Sequence, residues 1–583
     1  MGLPGFFSYL LKNYKNKILL KQINKNVDYF YIDANCLFHP ECAKIKEHFL
    51  DLKNDELEKH MMTRIKNYLM YLYNFVDAKK CVGTMVDGVC PLAKMSQQRK
   101  RRFKSVDDNK VRNNLKKKHG KAINEKWSNT VITPGTEFME KLHIELVDFF
   151  KNKIANKTEF PKYIYSSYHT PGEGEHNILQ HIKNHTNVDD VVVIYGLDAD
   201  LIFLAMTSGM DNIYLLRESL HFGIKHDDNE LYDPVTDVAQ ELMYVSIQEV
   251  KKAFNNQLLH LVRKKENIHN IFSKLFDETI DFSNDFVVIC FLLGNDFLPH
   301  FPSIDIYKGG LDSIIDSYID ALLESKTLLI TKSEQNDWKI NTNTFLLLCE
   351  KLGNKEEKFF REGIPFFNSL KNKKTCMLND DYSKELWNLE NLKIFKINDP
   401  VKLGHGLSDD WKFRYYEHHF GVVENQKQFI ENLIMYYLEG IIWVTKYYFD
   451  SCPSWSWHYP YDHGPFISDI AYFLLSTHFD INNIKFKYDK PLDPMKQLLT
   501  VLPPSSSDLL ANSYKKYVVE NDSPIIDMYP KKTKLDMLNK DQYWQCIPKL
   551  PPMNVDRIID AIKNEKLTKN EKIRNQFMNL IEF

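Results

Sequence analysis

Two close pairs of carboxylates are the residues with the clearest capacity for chemistry. Glu173 and Glu175 alternate with Gly172 and Gly174 in the run Pro171 to His176. Asp198 and Asp200 follow the apolar run Val191 to Tyr195. Acids held together raise one another's pKa unless a cation neutralises them. Hard divalent cations such as Mg²⁺ take oxygen ligands of this kind. The pattern therefore points to divalent-metal chemistry. Taken alone, an Asp-X-Asp pair is more often a turn or a helix cap, and Gly172 and Gly174 also serve simply to turn the chain. The metal reading depends on other acids reaching the same place.

The elements that would bring them there can be read from the same sequence. Val27 to Asp33 is a short, aromatic, β-prone run ending in an acid. Lys80 to Asp87 is a second such run, and Val191 to Tyr195 is a third. Residues 56–79 carry apolar residues at helical spacing. Strands separated by helices predict a parallel α/β sheet. Ligands bind beyond the carboxyl ends of its strands, which is where Asp33, Asp87, Asp198 and Asp200 would lie. The apolar run Phe286 to Leu293 breaks at Gly294 and delivers Asp296. Residues 245–294, 310–323 and 343–362 read as helical. The stretch 366–405 is polar and irregular and reads as a linker. Residues 406–583 are rich in Tyr and Trp.

Just after Asp87 the chain turns basic. Residues 94–126 hold 13 Lys and Arg against 3 Asp and Glu, beginning with Lys94, Gln98, Arg101 and Arg102. A phosphate-binding surface would thus adjoin the acidic edge, with Arg supplying bidentate grip. The later part, Lys104 to Lys126, reads equally well as a solvated helix face.

The bulk numbers set limits. The 583 residues carry a net charge of only −2, so nucleic-acid binding has to rest on this local patch. A hydrophobic share of 43% excludes disorder, and the nine scattered cysteines form neither a zinc signature nor a disulfide framework. No apolar run reaches the ~18 residues of a membrane span. Nothing at the N-terminus reads as a secretory or myristoylation signal. An intracellular protein without a membrane segment is expected.

Several stretches, in order, resemble the XRN family of 5′-to-3′ exoribonucleases. They are MGLPGFF at 1–7, DANCLFH at 33–39, DGVCPLAKMSQQRKRRF at 87–103, TPGTEFM at 133–139, PGEGEH at 171–176, YGLDADLI at 195–202 and GNDFLPHFPS at 294–303. WKFRYY at 411–416, the long segment 437–469, LPPSS at 502–506 and SPIIDMYP at 523–530 follow. The resemblance implies a 5′-nuclease or PIN-like α/β core, a parallel or mixed sheet flanked by helices, over residues 1–365. It also implies a second, mainly helical region packed on that core over 406–583.

It implies, further, a seven-acid site at Asp33, Asp87, Glu173, Glu175, Asp198, Asp200 and Asp296, holding two Mg²⁺ or Mn²⁺ ions. A 5′-phosphate pocket falls on Lys94, Gln98, Arg101 and Arg102. Base stacking falls on His39 and on a tryptophan of the second region, with Trp457 placed ahead of Trp455. At least one of these tryptophans reads as core packing. The expected substrate is single-stranded RNA with a 5′-monophosphate, released as nucleoside 5′-monophosphates. No nucleotide cofactor is expected, and the protein is read as a monomer in cytoplasmic RNA decay, with a nuclear role as the alternative. The rival functions are a flap-type 5′ DNA nuclease and an inactive RNA-binding scaffold. The first is disfavoured because 294–313 carries the XRN version of that segment, the second because no acid is missing.

Overall fold

The computed structural model describes residues 5–583 except 124–126, 155–160, 197, 223–232, 269–275, 278 and 336. Residues 1–4 of the MGLPGFF stretch, Leu197 and the end of the basic stretch therefore lie outside the described residues. No described helix is long and apolar enough to cross a membrane.

The core is a mixed eight-stranded sheet. Its strands are β1 (Leu19–Leu20), β2 (Tyr29–Asp33), β3 (Cys81–Met85), β4 (Lys162–Ser166), β5 (Val192–Tyr195), β6 (Ile213–Glu218), β7 (Leu242–Ser246) and a C-terminal strand, Ile581–Glu582. The spatial order is β1-β7-β6-β5-β2-β3-β4 and then the C-terminal strand. β6, β5, β2, β3 and β4 run parallel, while β1, β7 and the C-terminal strand pair antiparallel at the two margins.

Period-two alternation sends each strand's residues to two cores. Tyr31, Met85, Ile194 and Val245 enter one, and Phe30, Ile32, Val193 and Tyr195 enter the other. Both faces are covered by helices, which is why the central strands read as continuous apolar runs rather than alternating ones. Helices Ala34–His48, Asn54–Val76 and Glu137–Ile154 supply the second core. The first core runs without a break from the sheet into the helical region, through Phe297, Leu298, Trp443 and Tyr448.

The two regions are joined in several places. Cys90 N donates to Gln497 Oε1 at 3.0 Å, and Arg99, which is buried, donates to the Thr500 carbonyl at 3.1 Å. Thr207 Oγ1 donates to the Tyr448 carbonyl at 3.0 Å.

The structure departs from the sequence expectations at two places. The stretch expected to be wholly helical, 245–294, opens with the end of β7 and then forms helices Ile247–Ile268 and Ser283–Cys290. The stretch read as an irregular linker contains helices Ile364–Lys373 and Asp381–Glu390, and Glu385 and Glu390 pair with Lys118 and Arg112 of the basic helix. Its polarity reflects exposure and not an absence of structure.

Candidate active site

β2 lies between β3 and β5, parallel to both, with Asp33 opposite Met85 and Ile32 opposite Tyr195. Three strands thus end side by side. Asp33 closes β2, Asp87 lies two residues past β3, and Asp198 lies three past β5. Parallel order is what places all three at one edge; an antiparallel neighbour would send its acid to the opposite edge.

Glu173 and Glu175 reach the same edge through a helix start. Glu173 is the N-cap of helix Gly174–His185 and Glu175 lies in its first turn, where negative charge faces the positive end of the helix dipole. Gly174 N donates to Asp87 Oδ1 at 2.7 Å. A Cβ at Gly174 would lie 2.8 Å from the Met85 carbonyl oxygen and 3.2 Å from Asp33 Oδ1, so only glycine admits this approach. Asp200 opens helix Asp200–Thr207. Asp296 is delivered by a turn. Gly294 has φ 84°, and Asn295 Oδ1 accepts from the backbone N–H groups of Phe297 and Leu298, each at 2.9 Å.

These carboxylates are buried to different degrees and paired unequally. Asp33, Glu173, Asp200 and Asp296 are buried. Asp87 accepts from Asn35 Nδ2 at 2.8 Å as well as from Gly174, and Asp33 Oδ2 accepts from Cys36 Sγ at 2.8 Å. The Asp198 carbonyl accepts from Arg217 Nη2 at 2.8 Å. Asp33 Oδ1 and Glu175 Oε2 are buried with no hydrogen-bond partner.

Burial first, and then repulsion from Asp87, pushes Asp33 up to about 7. Burial and Glu173 push Asp87 up to about 6. Burial and Asp296 push Asp200 up to about 7. Burial raises Glu175 as well, against the pull of Lys94. Asp296 is the exception: burial raises it, but the Lys94 ammonium outweighs that and holds it down to about 2.

Lys94 is the finding that the expected phosphate pocket did not anticipate. Its Nζ lies 2.6 Å from Glu173 Oε1 and 2.7 Å from Asp296 Oδ2. The side chain is inside the acid cluster and neutralises part of it. Gln97, one helical turn on, donates Nε2 to Asp296 Oδ1 at 3.2 Å. Both come from helix Leu92–Lys118, the basic stretch read in the sequence.

Farther along this helix, Gln98 Oε1 and Arg102 Nε are buried without partners, while Arg101 is exposed. Burial and the neighbouring Arg101 push Arg102 down to about 9, which leaves it cationic at neutral pH. Burial, followed by the charges of Arg101 and Arg102, pushes His39 down to about 4. His39 is thus a neutral ring beside two guanidinium groups.

The tryptophans divide. Trp457 stacks on Trp443 with ring centroids 5.5 Å apart at 23°, and its Nε1 donates to Glu439 Oε2 at 3.2 Å. One ring face and the N–H of Trp457 are therefore committed to the protein. Trp455 instead meets the start of the basic helix through its carbonyl, which accepts from Leu92 N at 2.8 Å. Tyr447 extends the Trp457–Trp443 stack, with centroids 4.8 Å from Trp443 at 14°, and its hydroxyl donates to Glu173 Oε2 at 2.7 Å. Sequence reading missed Tyr447, Asn35, Cys36 and Gln97 as supports of the acids. All four lie inside stretches already notable in the sequence, but no spacing within 437–469 marks Tyr447 as the partner of an acid.

The donor set is entirely oxygen, which suits hard divalent cations. Two of its buried oxygens lack partners and four of its acids are pushed upward, a state that added positive charge relieves. Among the described residues, no three of these acids bring oxygens within 4.8 Å of one another. Lys94 Nζ stands between two of them, Glu173 and Asp296.

A mixed sheet with acids at its parallel strand ends and a packed helical region describes the class; the comparisons give the family. The chain matches the family description "XRN 5'-3' exonuclease N-terminus" over residues 1–219 and "Xrn1 helical domain" over residues 275–390 and 367–581. The chain belongs to the XRN 5′-3′ exonuclease family. It is 30% identical to the human protein named 5'-3' exoribonuclease 1, with 99% of this chain and 35% of the human protein covered. It is 28% identical to the 5'-3' exoribonuclease 2 homolog of Drosophila melanogaster, covering 99% and 72%. It is 26% identical to 5'-3' exoribonuclease 1 of Saccharomyces cerevisiae, covering 99% and 44%. The chain thus spans about a third of the human relative and under half of the yeast one.

Proposed function

We propose that this chain hydrolyses single-stranded RNA from a 5′-monophosphate end, stepwise toward the 3′ end, releasing nucleoside 5′-monophosphates. The observation that carries the reading is the set of acids at the adjacent parallel ends of β2, β3 and β5, directly beside the basic helix Leu92–Lys118.

Asp33, Asp87, Glu173, Glu175, Asp198, Asp200 and Asp296 would hold two Mg²⁺ or Mn²⁺ ions. Such a pair supplies an activated water and charge stabilisation on the leaving oxygen of an in-line phosphoryl displacement. The chain's own residues do the rest. Lys94 and Gln97 orient Asp296, and Tyr447 and Lys94 orient Glu173. Arg101, Arg102 and Gln98 would grip the terminal phosphate, with Lys94 at the boundary between that pocket and the acids. A compact pocket of this kind accepts a monophosphate and excludes a cap or triphosphate by size. His39, as a neutral ring, would stack on a leading base. Backbone contacts and stacking feed RNA without reading its sequence.

The test uses matched RNAs bearing a 5′-monophosphate, 5′-triphosphate or 5′-hydroxyl, together with a 5′-phosphorylated DNA flap, each with Mg²⁺ or with EDTA. Mononucleotide release from the monophosphorylated RNA with Mg²⁺ is the expected result. Internal cuts, or equal cleavage of the flap, would overturn the reading.

A further inference from the structure

A second group of metal-competent side chains lies outside the seven acids, in the helical region. His419 is in the last turn of helix Ser408–Phe420, His463 follows Tyr461 in a loop, and Asp536 ends the short strand Lys534–Asp536. These three segments are far apart in the chain. His463 Nε2 lies 3.0 Å from Asp536 Oδ2, and His419 Nδ1 lies 3.4 Å from the same oxygen. The two imidazole centroids are 3.8 Å apart. One donor atom from each residue falls within 4.8 Å of the other two.

Two further observations separate this trio from an ordinary hydrogen-bond cluster. His419 Nδ1 is buried with no hydrogen-bond partner, on a side chain only 5% exposed. A buried polar atom left this way is costly, and a missing ion is one of its standard explanations. His419 and His463 also line a cavity of about 300 Å³, together with His300, Lys308, Tyr415 and Asn539. Asp536 Oδ1 is already used, accepting from Leu538 N at 3.0 Å, which leaves Oδ2 as the oxygen turned to the two rings.

We propose that His419, His463 and Asp536 bind one transition-metal ion of the Zn²⁺ class, with a fourth position open to the cavity. Two imidazoles and one carboxylate are borderline donors that suit Zn²⁺ or Co²⁺ and not Mg²⁺. The set of three protein ligands plus one open position matches the ligand number of four-coordinate zinc sites. The ion would tie the helix, the loop and the strand into one unit. The competing arrangement is a hydrogen-bonded trio with the half-buried Lys540, which lines the same cavity, as the counter-charge of Asp536.

The test uses the full chain stripped of metal with a chelator, then titrated with Co²⁺ in excess Mg²⁺, so that the hard-oxygen site is already occupied. One equivalent of Co²⁺ should give visible bands of a four-coordinate nitrogen and oxygen site, displaced by one equivalent of Zn²⁺. His463→Cys should add a thiolate-to-cobalt charge-transfer band, which places the ion at this residue without depending on a loss of function. His419→Asn should weaken Zn²⁺ binding by at least ~100-fold, since even loss of an outer-shell partner costs ~10–100-fold. Absence of the Co²⁺ bands in the parent chain, or absence of the thiolate band in a folded His463→Cys protein, would overturn the proposal. So would unchanged Zn²⁺ affinity in His419→Asn. None of these readouts depends on RNA hydrolysis.

Discussion

Tyr447 donates its hydroxyl hydrogen to Glu173 Oε2 at 2.7 Å across 274 residues of sequence. The donor sits near the end of helix Gln426–Phe449 and the acceptor caps helix Gly174–His185. The helical region therefore orients one of the acids directly. A hydrogen bond to a charged group contributes about 1.5–3 kcal/mol. Tyr447→Phe keeps the ring stack on Trp443 and removes only the hydroxyl. It should lower turnover by about 10–100-fold, the range seen when groups behind metal ligands are lost, with RNA affinity unchanged. Turnover in single-round kinetics and RNA binding by anisotropy check this; unaltered turnover would show that Glu173 needs no such support.

Asp200→Ala removes an acid that burial and Asp296 hold up at about 7. If it serves in a two-ion site, turnover should fall by on the order of 1000-fold or more while RNA binding persists. Full activity in this variant would show that the acid assignment is wrong.

Lys94 places its ammonium between Glu173 and Asp296. Replacing it with Met breaks its ion pairs with two buried carboxylates, and breaking a buried pair costs about 3–5 kcal/mol. The urea midpoint measured in EDTA should drop accordingly. A change below about 1 kcal/mol would be the value of an exposed pair and would contradict the burial seen here.

Trp455 and Trp457 are expected to separate by phenotype. Trp457→Ala removes a ring stacked on Trp443 and should cost on the order of 3 kcal/mol of stability. Trp455 is tied to the fold by backbone groups, its N–H to Asp489 Oδ1 at 2.5 Å and its carbonyl to Leu92. Alanine keeps both bonds. Trp455→Ala should stay within about 1 kcal/mol of the parent and weaken RNA binding by roughly 10-fold, the value of one base–aromatic stack. The opposite pattern would return the stacking role to Trp457.

His300 provides a pH test away from the acids. Burial, with Lys540 close by, pushes its imidazole down to about 4. Its Nδ1 donates to the Phe301 carbonyl at 2.8 Å. Between about 6.5 and 4 the unfolded chain binds this proton and the folded chain does not. The stability contributed by the neutral ring is therefore complete above pH 6.5 and is lost as pH falls toward 4. The stability difference between the parent and His300→Gln should shrink over that window. A pH-independent difference would mean that the ring titrates normally.

Much of the site was legible from spacing. A β-prone run ending in an acid places that acid at a strand end whatever its partners are, because side-chain direction and strand length are local properties. Asp33, Asp87 and Asp198 were readable for this reason. Asp296 was readable because an apolar helix that breaks at Gly294 exposes the next polar residue. β1, β4, β6, β7 and the C-terminal strand were not read. Their identity rests on pairing with strands distant in sequence, and Lys162–Ser166 begins with an exposed lysine that hides its period.

The amino-acid sequence by itself determined the acid inventory, the apolar strands that carry it, the basic helix and the family resemblance. All of these depend on residue types at short range. Only the tertiary structure decided that Lys94 sits among the acids, that Tyr447 holds Glu173, that Trp457 is committed to packing on Trp443, and that His419, His463 and Asp536 meet. Each of those is a contact between segments remote in the chain. Such contacts depend on how the sheet and helices pack, and a buried charge or ring takes whichever partner that packing brings within reach.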